Sequence, residues 1–130
     1  MLDPKTLKYQ QSHEWLSPDG VVGISDHAQK EITDVVFVEL PKVGRQVKRG
    51  EACCVVESVK AAFDIYAPLS GEIAAVNPDA AKDPAVVNRE PYGKGWLFKI
   101  APSSPSESSA LMDAAAYEKF LASEAAHGSH

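Results

Sequence analysis

A chain of 130 residues with a formal net charge of −5 and a pI near 5.3 lacks the clustered Lys and Arg that binding to a nucleic-acid phosphate backbone requires. At 45% hydrophobic and 24% charged it has an ordinary globular composition, and its length suits one core. Nine prolines and eight glycines cut it into short segments, which favours short strands over long helices.

No apolar run approaches the roughly 18 residues needed to span a bilayer. The opening Met1-Leu2-Asp3-Pro4 has neither a secretory signal nor a transit composition. Cys53 and Cys54 are adjacent, so on a strand they point to opposite faces and no disulfide between them is expected. A reducing compartment is expected, with a bacterial-type cytoplasm favoured over a mitochondrial matrix reached by a processed precursor.

The first expected strand runs from Tyr9 to Leu16 and ends at the turn Ser17-Pro18-Asp19-Gly20. Val21 to Ile24 follow as a second strand. Asp26 then offers an N-cap for a helix through Ile32. Val35 to Val38, an unbroken β-branched and aromatic run, reads as a strand covered on both sides. Further strands are expected over 51–57, 63–66, 71–76 and 95–100, with a helical or looped insertion over 77–88. After Pro102 the composition turns to Ser, Ala and Glu. There Asp113 can cap a helix whose Tyr117, Phe120, Leu121 and Glu124 share one face. The expected layout is one domain with its core over about 9–100, a C-terminal helix over about 113–124, and a disordered end over 125–130.

Between the strands around Cys53 to Glu57 and Phe63 to Tyr66 lies Glu57-Ser58-Val59-Lys60-Ala61-Ala62, which puts Lys60 near a hairpin tip. A lysine there projects into solvent, where a modifying enzyme can reach its amine and an attached group can sweep away from the domain. By itself one surface lysine is ordinarily just solvated.

The wording around it adds more. Glu57-Ser58-Val59-Lys60-Ala61 resembles the lipoylation motif of the glycine cleavage H proteins. Ser12-His13-Glu14-Trp15, the stretch Val22 to Gln29, Asp34 to Pro41, Ile65 to Glu72 and Val87 to Trp96 resemble the same family, in its order. The resemblance implies a mainly β fold, a flattened barrel-sandwich hybrid of the lipoyl/biotinyl type with short helices and a C-terminal helix. It implies that Lys60 carries lipoate as N6-lipoyllysine, placed there by a lipoate-attaching enzyme. In the family the arm takes an aminomethyl group from the glycine decarboxylase (P protein), delivers it to the aminomethyltransferase (T protein), and passes electrons to the dihydrolipoyl dehydrogenase (L protein). The chain itself would be a non-catalytic carrier, as suits a division in which the cofactor performs the chemistry. An alternative of the same type is a lipoyl relay donor for other lipoate-dependent enzymes.

The resemblance further implies that Glu57 and Gly71 take part in recognition by the attaching enzyme, although Gly71 also suits a tight backbone position. Ser12, Glu14 and Asp64 are expected to line a cleft for the loaded arm, with a carboxylate paired to the cationic amine. The competing reading makes them a turn serine and two surface carboxylates. Two departures stand out. Asp19 to Ile24 is shorter than the family's stretch, which leaves the first hairpin's register open, and Cys53-Cys54 replaces small apolar residues. A zinc site from Cys53, Cys54, His13 and His27 lacks C-x-x-C or paired-histidine spacing and is set aside, so no metal is expected. Gly93-Lys94-Gly95 lacks the spacing of a phosphate loop, and neither cysteine has the context of a reactive thiolate.

Overall fold

The structure, a computed structural model, describes residues 2–128, with side chains described as far as Glu124. A 3-10 turn at Pro4–Thr6 leads into β1 (Lys8–Tyr9), β2 (Glu14–Leu16) and β3 (Val21–Ile24). The strand expected over 9–16 is therefore a hairpin. The chain reverses at Gln10 to His13, where Gln10 N–H donates to the Glu14 carbonyl at 3.0 Å and His13 N–H to that of Gln10 at 2.9 Å. His13 takes φ 78°, the left-handed region that makes this reversal possible.

The β2–β3 register, left open by the shortened stretch, is regular: Glu14 opposes Ile24, Trp15 opposes Gly23, and Leu16 opposes Val22. Gly23 is required there. A Cβ would sit 2.5 Å from the buried Trp15 ring, whose indole N–H is directed at the Ile24 and Pro91 carbonyls, both at 3.0 Å.

Helix α1 spans Asp26–Ile32, one residue earlier than expected, because Ser25 and not Asp26 is the cap; its Oγ accepts from Ala28 N–H at 3.1 Å. Next come β4 (Val35–Glu39), β5 (Gln46–Val47), β6 (Ala52–Ser58), β7 (Ala62–Tyr66) and β8 (Gly71–Val76). The 77–88 insertion folds as α2 (Pro78–Lys82) and α3 (Val86–Arg89), and β9 (Phe98–Pro102) follows. That last strand starts three residues later than expected, since Gly95 packs against the Val86 and Glu90 carbonyls and the Asn77 amide holds those of Lys94 and Trp96, each at 2.7 Å.

The strands form two antiparallel sheets, one ordered β1-β2-β3-β9-β8-β5 and the other β4-β6-β7, without a closed barrel among the described residues. The larger hydrophobic cluster includes Val22, Ile24, Val56, Ile65, Ile73, Phe98 and Ile100. Burying each such side chain contributes about 1.5–3 kcal/mol. β4 departs from the expectation of a strand covered on both sides. It is an edge strand with a register shift between Val35 and Phe37, and Val36 and Phe37 are exposed.

Helix α4 (Ala114–Gly128) runs further than expected, while the expected disorder at Ser129 and His130 lies outside the described residues. Asp113 caps it, accepting from Ala116 N–H at 2.8 Å. Its expected face packs down: Tyr117 is buried and stacks on Tyr9 with ring centroids 4.2 Å apart, with Phe120 and Leu121 beside it in a second cluster that also holds Leu7 and Trp15.

Candidate functional site: a lysine on a clamped hairpin tip

β6 and β7 run antiparallel from Ala52 opposite Tyr66 to Glu57 opposite Ala62, which leaves Val59, Lys60 and Ala61 to turn the chain. Ser58 shapes that turn. Its backbone N–H donates to the Ala61 carbonyl at 2.8 Å, and its Oγ accepts from the backbone N–H groups of Lys60 and Ala61, both at 3.2 Å. A serine hydroxyl that gathers the amides of a tight turn fixes a loop that has no glycine or proline to do so. Ser58 is buried, whereas Val59 and Lys60 are exposed. The result is a stiff base under an amine free to be approached. In sequence the only local sign of this role for Ser58 is its place before a three-residue link between two strands.

Glu57 is half-buried on β6, between Ala62 of β7 and Phe37 of β4, three positions before the lysine. Gly71 lies in the other sheet, opposite Val47 and Pro102. A Cβ on Gly71 would fall 2.2 Å from the Ala101 carbonyl oxygen, so this glycine is needed for the approach of β8 to β9.

The three residues expected to line one cleft separate. Asp64 is exposed on β7 and borders a cleft of about 540 Å³, together with Glu39, Leu40, Arg45, Cys53 and Val55. Glu14 is no surface carboxylate: it is 1% exposed. Its Oε1 accepts from Gln10 Nε2 at 3.0 Å and from the Ser12 hydroxyl, and its Oε2 accepts from Tyr66 N–H at 2.9 Å. Ser12 is thus brought to Glu14 and not to Asp64 directly, and Tyr66 joins the buried carboxylate to the strand that carries Asp64. Burial pushes the Glu14 carboxyl up from 4.5 to about 6, against the opposing pull of the Ser12, Tyr66 and Gln10 donors.

Both cysteines are buried free thiols on the middle strand of the smaller sheet. Burial pushes the Cys53 thiol up to about 11 and that of Cys54 higher still. Among the described residues, no helix is long and apolar enough to cross a membrane.

Two sheets that hold a lysine out on a short, clamped hairpin have the architecture of a lipoyl-type carrier. The family model for the glycine cleavage H-protein matches residues 7–124. The chain is 60% identical over 118 residues to the glycine cleavage system H protein of Deinococcus deserti, covering 91% of this chain and 97% of that one. It is 55% identical over 125 residues to that of Cronobacter sakazakii, covering 93% and 97% respectively. A crystal structure of a glycine cleavage system H protein from Mycobacterium marinum superposes with a TM-score of 0.73 at 43% identity, covering 78% of this chain and 87% of that chain. The chain belongs to the glycine cleavage H-protein family.

Proposed function

We propose that this chain is a non-catalytic lipoyl carrier of the glycine cleavage system, with lipoate in amide linkage on Lys60. The observation that carries the reading is the Ser58 clamp beneath an exposed Lys60. The chemistry such a group supplies when bound is that of a dithiolane: acceptance of an aminomethyl group at the glycine decarboxylase, its surrender as a one-carbon unit and ammonia at the aminomethyltransferase, and reoxidation at the dihydrolipoyl dehydrogenase. The residues fit the group, because a rigid turn presents the amine without a covering element and Glu57 stands beside it for an attaching enzyme to read.

The chain's own part is attachment, presentation and shelter. Tethering at the tip raises the effective concentration of the arm at each partner. The cleft bordered by Asp64 offers a carboxylate to a cationic amine. Glu14 supports that wall from behind through Tyr66 N–H. The bacterial relatives favour a cytoplasmic setting.

The test is intact mass before and after incubation with lipoate, ATP and a lipoate-protein ligase. The reading requires one lipoyl increment on the native chain and none on Lys60→Arg. A folded native chain that gains no increment, or a Lys60→Arg chain that gains one, overturns it.

A further inference from the structure

The fold brings together three side chains that lie far from the hairpin tip in sequence and that the carrier function does not use. One ligand atom from each of His13, His27 and Glu31 falls within 4.8 Å of the other two. His27 and Glu31 are four apart on α1 and share a face, and His27 Nε2 contacts the Glu31 carboxylate. His13 reaches them from the β1–β2 turn, its ring centroid 4.8 Å from that of His27. From α4, the Glu124 carboxylate stands 3.5 Å from His13 Nε2.

The position of His13 is prepared. Its backbone is held at φ 78°, and its carbonyl accepts from Ser25 N–H at 2.9 Å. Its Nδ1 lies 2.8 Å from the Tyr117 hydroxyl, which in turn lies 2.7 Å from Ser25 Oγ. The Tyr117 hydroxyl thus fixes the His13 ring through Nδ1, and Ser25, which also accepts from Ala28 N–H, holds that hydroxyl in turn. With Nδ1 engaged by Tyr117, Nε2 is the nitrogen that remains to bind an ion, on the side where Glu124 stands. A histidine whose other nitrogen is fixed by a hydrogen-bond partner is the ordinary form of a metal ligand.

We propose that His13, His27 and Glu31 form a site for a divalent transition ion of the zinc class, with Glu124 available as a fourth ligand. Two imidazoles with carboxylate oxygens form the borderline N/O donor set that zinc takes, whereas calcium and magnesium prefer oxygen alone. Bond lengths near 2.0–2.1 Å place tetrahedral ligands about 3.3 Å apart. The His13–Glu124 spacing is close to this, and the partly exposed His27 and exposed Glu31 side chains have room to rotate and close the remainder. An ion there ties α1 to the β1–β2 turn and, through Glu124, to the C-terminal helix.

The test is titration of Zn²⁺ into the full chain carrying Lys60→Arg, which excludes a competing dihydrolipoyl dithiol, followed by calorimetry and thermal melting. One ion per chain and a higher Tm with zinc are expected. His27→Gln and Glu31→Gln lie on a solvated helix face that tolerates them, and each should weaken binding at least about tenfold, with Tyr117→Phe weakening it by roughly tenfold through loss of the orienting contact. Failure of the parent to bind zinc saturably, or unchanged binding in both helix variants with native circular dichroism, overturns the proposal.

Discussion

The Ser58 hydroxyl accepts the backbone N–H of Lys60 at 3.2 Å, so the residue that presents the amine and the residue that shapes its turn are two positions apart. Removing that oxygen tests the connection. Ser58→Ala leaves the amides of Lys60 and Ala61 without their side-chain partner and should lower stability by about 1–2 kcal/mol, seen as a lower denaturant midpoint at unchanged m-value. Ligation of lipoate should slow in the folded variant. Ser58→Asn, which can form an equivalent turn, should recover much of both losses. Normal ligation by Ser58→Ala would mean that the clamp serves stability only.

Gly71 separates a backbone role from a recognition role. With Ala101 O 2.2 Å from a Cβ, Gly71→Ala must push β8 from β9 and should cost roughly 1–3 kcal/mol. The rate of lipoate attachment, corrected for the folded fraction, should match that of the parent. A slower rate in a fully folded Gly71→Ala chain would assign this glycine to the ligase.

Glu14 gives stability a pH dependence. Because its carboxyl titrates near 6 in the fold and near 4.5 unfolded, the folded state holds the proton longer. The contribution is therefore fully present below about pH 4.5 and is lost as pH rises through 6, a loss of about 2 kcal/mol by pH 7. Glu14→Gln keeps the shape and removes the charge, so its stability relative to the parent should rise by about 1–2 kcal/mol between pH 4 and pH 7. A difference that does not change with pH would show that Glu14 is not a strained buried acid.

Cys53 and Cys54 should be inert in the native chain. Both are buried and their thiols titrate well above the ordinary range, so little thiolate exists near pH 8. Alkylation followed by mass measurement should find no adduct on the folded chain and one on each cysteine after denaturation. Rapid native labelling of Cys53, which borders the Asp64 cleft, would show that the cleft opens.

The parts of this molecule legible in its sequence were those set by local chemistry. The β6–β7 hairpin with its tip lysine and the Asp113-capped terminal helix follow from periodicity, caps and prolines, whereas the insertion over 77–88 was legible only as helical or looped and not as two helices. What escaped depended on tertiary contact. Gln10 to His13 contain no glycine, proline or asparagine, so nothing local announces the reversal that His13 makes at positive φ. Val36 and Phe37 look like core residues until β4 is seen to lie at a sheet edge. Glu14 has the look of a solvated carboxylate because the donors that permit its burial come from Gln10, Ser12 and the distant Tyr66. The meeting of His13 with His27 and Glu31 likewise arises only when the first hairpin lies over α1.

The central claim is that Lys60 bears a working arm for glycine cleavage, and loading that arm tests it most directly. Lipoylated chain, incubated with a glycine decarboxylase and glycine and followed by intact mass, should gain one aminomethyl increment that is absent from Lys60→Arg. A lipoylated, folded chain that stays unloaded beside an enzyme that loads a bacterial relative would contradict the account and leave a lipoyl relay donor as the better description.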